Sequence, residues 1–226
     1  GIAAGGTVME DCRVLEACRE GKYTSVLVQT HDKKYVEYRT EHFVNALGSG
    51  AGKLCDSMGI DAGLYPVRHQ AFITRRLPML GKHGTNLDML IDRQDYKGFS
   101  AVYGQQIAYT GQIIGCASPK LDAMRIDKNL KVNTKAFLEI VSEMFSEWIP
   151  DLAGVGIQAV WAGYYTEPRY IVDPELGLFV GMRGHGFMLS QYIARMYVDK
   201  LLGRPVPEYF EKLKLNGPGL SEKAFK

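Results

Sequence analysis

The sequence has little of what marks secreted, membrane-spanning or disulfide-stabilised proteins. Its 226 residues include only four cysteines, which lie far apart and form no CxxC pair. We therefore expect reduced thiols rather than a disulfide framework or a zinc site. The longest weakly polar stretch, Leu152 to Tyr165, is too short to cross a bilayer as a helix. The first six residues lack the basic flank and apolar run of a signal peptide, so we expect no membrane span and, by default, a cytoplasmic location.

An excess of charge of one sign is also lacking. The net charge of +2 arises from mixed signs along the chain, without a basic stripe that would neutralise a row of phosphates, so nucleic acid is not an expected partner. The five histidines show no HExxH spacing and the serines no GxSxG motif, so neither a metal site nor a hydrolase triad is predicted. With 46% apolar and 23% charged residues, the chain is expected to bury a sizeable core.

Short strands are predicted through the first half of the chain. The alternating runs SVLVQT and KYVEYRT, between Tyr23 and Thr40, predict a hairpin. The apolar run from His42 to Leu47 predicts a strand, and the glycines after it predict a tight turn and a short helix that reaches Met58. Further strands are predicted at Tyr65 to Thr74, Asp88 to Asp92, Phe99 to Tyr103, Gln106 to Thr110 and Gln112 to Cys116.

Two amphipathic helices are predicted in the second half. The apolar face of the first helix, which Pro150 ends, comprises Phe137, Leu138, Val141, Phe145 and Trp148. A strand from Ile157 to Tyr164 and the segment Gly177 to Gly181 precede the second helix, which runs from Gly184 to about Leu202. Its apolar stripe comprises Leu189, Ile193, Met196, Tyr197 and Leu201. The tail beyond Pro205 has no strong pattern.

Two glycine-rich segments lie where a ligand could approach backbone amides. Gly48 to Gly52 follows a predicted strand, but a dinucleotide fingerprint requires a small residue where this chain has Lys53, so a structural turn is favoured over a pyrophosphate cradle. Gly184 to Phe187 opens a helix, where amides carry partial positive charge and glycines allow close approach. This second segment predicts a site for an anion or for a ring that becomes anionic. The alternative is a plain turn with His185 exposed or hydrogen-bonded.

Aromatic and basic residues on the predicted strands favour structural roles when considered alone. Trp161, Tyr164 and Tyr165 stand together at the end of an apolar strand, as core or interface residues do. Arg68 and His69 alternate with apolar residues, which predicts a place on the solvated face of a half-buried strand.

Four segments, taken in chain order, carry a resemblance to known enzymes. They are VNALGSGAGKL (Val44 to Leu54), YPVRHQAFIT (Tyr65 to Thr74), YTGQIIGCASP (Tyr109 to Pro119) and WAGYYTEPRYIVDPELGLFVGMRGHGF (Trp161 to Phe187). In this order they resemble the FAD-dependent D-amino-acid oxidase superfamily, which includes glycine oxidase, sarcosine oxidase and dye-linked proline dehydrogenases. The resemblance covers nearly the whole chain.

The resemblance implies an α+β architecture. A mixed or antiparallel substrate-domain sheet with flanking helices would join the C-terminal part of a Rossmann-like FAD-binding domain. Residues 1–63 would belong to the FAD-binding domain, residues 64–160 to the β-rich substrate domain, and residues 161–226 would return to the flavin domain. The GxGxxG strand that opens such a domain is lacking here, so an N-terminal FAD-binding segment or a partner subunit is expected to supply it.

The resemblance also implies hydride transfer to flavin N5 from the carbon adjacent to an amine, in an amino acid, an imino acid or a secondary amine. FAD would be non-covalent, because the cysteine that carries flavin in sarcosine oxidases has no counterpart before Gly184. The expected cofactor contacts are Ala46, Gly48, Gly50, Gly184, His185, Gly186 and Phe187. The expected catalytic residues are Tyr164, Tyr165 and Arg183, and the expected substrate-binding residues are Arg68, Tyr109 and Tyr165.

Two features keep alternatives open. Tyr164 and Tyr165 stand where an arginine often grips the substrate carboxylate in amino-acid oxidases, so a carboxylate clamp is not predicted. The WAGYY wording is especially similar to a branch that contains a mitochondrial FAD-dependent protein assisting respiratory complex I assembly, and archaeal dehydrogenases. The alternatives are a catalytic flavoenzyme, a non-catalytic assembly or interaction module of the same fold, and a plain α+β domain.

Overall fold

A computed structural model describes residues 2–81, 86–94, 99–119, 130 and 134–219. The chain divides into two compact units, one formed by Gly1–Tyr65 with Thr166–Lys226 and the other by Pro66–Tyr165. Helices and predominantly antiparallel strands make this an α+β protein, as expected. The helices in the described part of the chain are too short or too polar to span a bilayer.

The first unit contains a three-stranded antiparallel meander. Strands β1 (Arg13–Glu20), β2 (Tyr23–Gln29) and β3 (Tyr35–Thr40) pair in that order. The predicted hairpin is confirmed as β2 and β3, whereas β1 escaped prediction because its mixed polar sequence, RVLEACRE, shows no clean alternation. Every second residue of β2 is buried, and this face packs with Leu54 of helix α1 (Ala51–Ser57).

The strand predicted over His42 to Leu47 is wrong, since this segment makes only one isolated parallel bridge in the described structure, between Asn45 and Leu178. The amide of Asn45 donates to the Gly177 carbonyl at 2.8 Å, and its buried side-chain Nδ2 donates to the Ala51 carbonyl at 3.0 Å. An apolar run alone did not reveal that a single polar side chain fixes this segment to the start of α1.

The first unit continues with a two-stranded antiparallel pair and a long helix. Strands β9 (Ile171–Asp173) and β10 (Leu178–Val180) pair with each other, and helix α3 spans Gly186–Leu201. Ile193, Met196 and Tyr197 of α3 are buried as expected, but Leu201, assigned to the same stripe, is 38% exposed near the helix end. The tail forms a 3-10 turn at Glu208–Leu213, and this turn buries Phe210 and Leu213 against α3.

The sheet of the second unit has five strands. They are β4 (Tyr65–Thr74), β5 (Leu90–Asp92), β6 (Phe99–Gln106), β7 (Ile113–Pro119) and β8 (Ile157–Glu167), in the spatial order β5-β6-β7-β4-β8. The strand predicted at Phe99 to Tyr103 is confirmed as part of β6, whereas the strand predicted at Gln106 to Thr110 is wrong. One strand, β6, is followed by a turn in which the Ile107 amide donates to the Gln112 carbonyl, and Tyr109 in that turn has a φ of 69°.

Helix α2 (Thr134–Trp148) packs on one face of this sheet, which confirms the predicted amphipathic helix. Phe72 of β4 contacts Phe137 and Phe145 of α2, with ring centroids 6.0 and 5.7 Å apart. Burying each phenylalanine contributes about 1.5–3 kcal/mol, so this cluster is the main source of stability in the second unit.

Candidate functional site

The face of the sheet opposite α2 carries a cleft of about 290 Å³. Alternation along β4 creates the two faces: Phe72 points into the α2 core, whereas His69 and Ala71 line the cleft. Along β8 the same period brings Trp161, Gly163 and Tyr165 to the cleft. The other side chains that define it include Met89, Tyr103 and Cys116.

His69 is a neutral imidazole at the wall of the cleft. Its ring stacks on Tyr165, with centroids 3.8 Å apart and planes inclined by 29°. Burial lowers the pKa of His69 to about 4, so the ring is uncharged at neutral pH. Its Nδ1 atom is buried and has no hydrogen-bond partner among the described residues. The ring therefore contributes an uncharged, flat surface and stabilises the orientation of Tyr165.

Tyr103 connects two further side chains of the cleft. Its side chain interacts with Cys116, which pairs with it across β6 and β7, and with Tyr165. Burial, reinforced by these neighbours, raises the pKa of Tyr103 far above its usual range, and burial also raises the pKa of the Cys116 thiol. Both groups stay protonated at neutral pH. Hence none of the described lining side chains carries a full charge.

Two glycines line the cleft for different reasons. Gly115 pairs with Phe72 across β7 and β4, and a Cβ there would point to the α2 side of the sheet, 2.5 Å from the Phe72 ring, so only glycine fits. A Cβ added to Gly163 would meet no heavy atom of the described residues within 4 Å. Gly163 therefore leaves open space along β8 between Trp161 and Tyr165.

The structure separates the residues that the sequence assigned to substrate. Tyr165 lines the cleft, whereas the neighbouring Tyr164 lies on the opposite side of β8. Arg68 is 8% exposed on the α2 side of β4, so the expectation of a solvated Arg68 is wrong. Tyr109 lies in the turn after β6 and is 83% exposed. Substrate contacts for Arg68 and Tyr109 stay predictions, and neither lies in the lining of the cleft as described.

The sequence did not predict that one cleft would be lined by His69, Tyr103, Met89 and Cys116. One signal was available: His69 shares its strand face with Ala71, and Trp161 shares its face with Tyr165, at the period of two expected for a strand. The order of the strands was not readable from the sequence. Only the adjacency of β4 to β7 and β8 shows that the residues of β4 and those of β8 line the same cleft.

The first unit carries the predicted glycine-rich helix start. A 3-10 turn at Arg183–His185 passes directly into α3 at Gly186, and no side chain in the described part of the chain caps the helix. Gly184 and His185 are exposed, and Phe187 projects fully into solvent. The first amides of α3 therefore remain available to a ligand, because the first turn of a helix has no internal partners for them.

Two side-chain contacts fix the conformation of this turn. Arg183 Nε donates to Glu167 Oε2 at 2.6 Å, and the Tyr170 hydroxyl and His185 Nδ1 are 2.6 Å apart. A Cβ added to Gly186 would lie 2.9 Å from the Cβ of Met182, so the glycine permits the tight approach of turn and helix.

The other predicted cofactor residues follow Asn45. Ala46 is exposed, and the Leu47 amide donates to Asn45 Oδ1 at 3.3 Å before a 3-10 turn at Gly48–Gly50. Gly48 has a φ of 55°, which favours glycine, and a Cβ there would meet no described heavy atom within 4 Å. This turn is open on the side where a ligand would approach.

The profile of the FAD dependent oxidoreductase (DAO) family matches residues 2–200. The chain belongs to this family, which confirms the resemblance drawn from its motifs, and the cofactor is FAD.

Solved structures show the same fold. The L-proline dehydrogenase from P. horikoshii matches with a TM-score of 0.70 and 25% identity over 95% of this chain and 55% of that one. Glycine oxidase from Geobacillus kaustophilus matches with a TM-score of 0.68 and 18% identity, over 95% and 54% of the two chains. Iminodiacetate oxidase from Chelativorans sp. BNC1 matches with a TM-score of 0.67 and 15% identity, over 97% and 56%. No curated protein sequence matches this chain. The chain thus spans about half the length of these relatives.

The helix start fits the flavin ring of FAD on chemical grounds. Reduction places negative charge on the ring, and the uncapped amides at the start of α3 provide positive partial charge without a competing side-chain acceptor among the described residues. Gly184 is exposed and adds no side chain to this surface, which favours close approach of a planar ring.

Proposed function

We propose that this chain forms the substrate side and the flavin-ring side of an FAD-dependent oxidoreductase that removes a hydride from the carbon adjacent to an amine. The observation that carries the proposal is the cleft of uncharged aromatic and polar side chains on the five-stranded sheet. Bound FAD supplies the hydride acceptor at its N5 atom. Amino acids, imino acids and secondary amines are the candidate substrates.

The cleft residues would bind and orient the reacting amine. Trp161, Tyr165 and Met89 offer apolar surface that excludes water, and aromatic faces attract an alkylammonium group as it enters. The protonated hydroxyl of Tyr103, held by Cys116 and Tyr165, offers a fixed polar contact. The amine must be neutral when its C–H bond breaks, and a cleft without a described carboxylate favours loss of the ammonium proton because it does not stabilise the charge.

The turn that begins α3 would bind the flavin ring. Amides of Gly184, His185, Gly186 and Phe187 would stabilise the negative charge that develops on the ring, and the Gly48–Gly50 turn with Ala46 would lie beside it. Tyr164 and Arg183 stay predicted catalytic residues. Non-covalent binding of FAD remains part of the proposal, because the residues before Gly184 include no counterpart of the cysteine that carries flavin in sarcosine oxidases.

The remaining part of the FAD site would come from a nucleotide-binding segment of the same protein or from a partner subunit. This proposal is supported by the coverage of only 55% of the proline dehydrogenase, which leaves almost half of that enzyme without a counterpart here. We expect such a segment to contain a strand followed by a GxGxxG turn.

A direct test joins the chain to, or co-expresses it with, its nucleotide-binding segment, and measures reduction of this FAD-loaded protein by amines without oxygen. Proline, sarcosine and pyrrolidine would be added in turn while the oxidised flavin absorbance is followed. Tyr165→Phe removes a hydroxyl that contacts Tyr103, and we expect it to slow flavin reduction by about tenfold, the value of one lost hydrogen bond. Tyr35→Phe, an exposed tyrosine of β3, is the matched control and should reduce at the wild-type rate.

Failure of every amine to reduce wild-type flavin would reject the proposed activity. Equal rates for Tyr165→Phe and wild type would instead reject the assignment of this cleft to the substrate.

A second candidate function is a non-catalytic assembly module. It is supported by the absence of a charged side chain among the described residues that line the cleft, because such a residue would bind the carboxylate of an amino acid. Stable association with a partner, together with FAD that no amine reduces, would support this alternative over turnover.

A further inference from the structure

The turn at the start of α3 is held by one short segment, Glu167 to Tyr170, which the sequence analysis gave no role. We infer that Glu167 is a positioning residue and the counter-ion of Arg183, and that this ion pair limits how strongly the helix start attracts electrons onto the flavin. The inference rests on the proposed function, because it assumes that the flavin ring lies at this turn. In this arrangement the carboxylate of Glu167 compensates the positive charge of Arg183 within the protein.

The geometry of the pair shows a strong interaction. Arg183 Nε and Glu167 Oε2 are 2.6 Å apart, and the two side chains are only 23% and 16% exposed. An ion pair withdrawn from water interacts more strongly than an exposed pair, because solvent screens it less. The compensating charge of Glu167 therefore acts on Arg183 continuously rather than during brief encounters.

The backbone at Arg183 needs such support. Its φ of 49° lies in the left-handed region, which side chains other than glycine, asparagine and aspartate seldom adopt. Conformations of this kind persist when surrounding contacts over-determine them. The bond to Glu167 supplies one of these contacts at the residue that immediately precedes Gly184.

Two further contacts from the same segment hold the turn on either side of Arg183. The buried Tyr170 hydroxyl contacts His185 Nδ1 at 2.6 Å. Gly181 lies so close to the Arg169 carbonyl that a Cβ would approach its oxygen to 1.9 Å. Arg169 is itself fixed by bonds from its guanidinium to the carbonyls of Leu215 and Gly217. The segment Glu167 to Tyr170 thus contacts the turn at Gly181, Arg183 and His185 and stabilises its conformation.

The electrostatic consequence has a definite sign. An uncompensated Arg183 beside the ring would stabilise the reduced, anionic form and raise the midpoint potential of the flavin. Glu167 opposes this effect. Removing the negative charge alone should therefore raise the potential, and removing the positive charge alone should lower it.

The test compares Glu167→Gln, Arg183→Gln and the double variant in the FAD-loaded protein. The measured quantities are FAD content, from absorbance after purification, and the midpoint potential, from equilibration with redox dyes. We expect E167Q to increase the ratio of reduced to oxidised flavin at fixed potential by about tenfold, R183Q to decrease it, and the double variant to return close to wild type. Tyr35→Phe is again the control and should leave the potential unchanged.

Amide hydrogen exchange provides a readout that does not need the cofactor. In the 226-residue chain, E167Q should accelerate exchange at residues 181–188, because the turn loses one of its three anchors. A merely structural role would give this result without the opposite shifts in potential. The two measurements together therefore distinguish a counter-ion from a simple support.

The outcomes separate this inference from the proposed function. Wild-type chain that holds no FAD even when joined to or co-expressed with its nucleotide-binding segment overturns both. Protein that holds FAD but shows unchanged potentials, or shifts of the same sign in E167Q and R183Q, overturns only the inference. If E167Q fails to load FAD, the double variant decides: a potential near wild type supports the counter-ion role, and one as low as that of R183Q overturns it.

Discussion

At the scale of single residues, the cleft is defined by groups that burial keeps uncharged. Burial lowers the pKa of His69, which would otherwise carry partial charge near neutral pH, and moves the pKa values of Tyr103 and Cys116 further above pH 7. This property was not visible in the sequence, where His69 was expected on a solvated face. It arises because β8 places Tyr165 over the imidazole ring.

His69 should make the stability of the protein depend on pH. Its pKa is about 4 in the folded state and 6.5 without the fold, so between these values the unfolded chain binds the extra proton. The free energy of unfolding should therefore be highest above about pH 6.5 and fall by up to about 3 kcal/mol as the pH approaches 4. Denaturant unfolding at several pH values would measure this loss, and His69→Gln should reduce it.

The exposed Val8 offers a control, since Val8→Ala changes no titratable group and should leave the pH profile as in wild type. A His69→Gln protein with an unaltered profile would show that other groups cause the acid sensitivity.

At the scale of elements, sequence periodicity was a good guide where one face of an element is buried. The β2–β3 hairpin and helix α2 were predicted because every second residue, or every third to fourth, faces a core. The strand expected from His42 to Leu47 failed, since an apolar run carries no information on its neighbours. The buried Phe210 escaped because its 3-10 turn has too few residues to show a period.

The packing of α2 on the sheet can be tested with one substitution. Phe137 is fully buried and contacts the rings of Phe72 and Phe99, so Phe137→Ala should lower the free energy of unfolding by about 3 to 5 kcal/mol. Lys135→Ala, at an exposed position of the same helix, should change it by no more than about 0.5 kcal/mol. Chemical denaturation followed by tryptophan fluorescence would compare them, and similar losses in both variants would contradict the packing.

At the scale of the whole molecule, only the resemblance led to an assignment of residues 1–63 and 161–226 to one domain and 64–160 to another, and this assignment stays a prediction. Composition changes little along the chain, and glycines occur on both sides of each boundary. The order of strands in the larger sheet depends on contacts between distant segments, such as β4 with β7, for which local patterns contain no signal. The turn at the start of α3, by contrast, lies within a few consecutive residues, so local sequence could indicate it, and its contact with the cofactor stays a prediction.

The second unit should fold by itself. All members of its main core, from Phe72 to Leu152, lie within the unit, and the chain that forms it is continuous. A fragment of residues 65–167 should therefore show cooperative thermal unfolding by circular dichroism. Phe137→Ala within the fragment should abolish or strongly lower that transition, and a wild-type fragment without any cooperative transition would show that the first unit is required.

The buried thiols have a consequence for chemical durability. Peroxide attacks the thiolate form of cysteine, and both Cys55 and Cys116 have pKa values raised by burial, so they persist as unreactive thiols. Cys116 would otherwise gain oxygen atoms inside the cleft and displace the Tyr103 hydroxyl. Because burial raises the pKa of Cys116, peroxide should leave this thiol unmodified and the shape of the cleft unchanged.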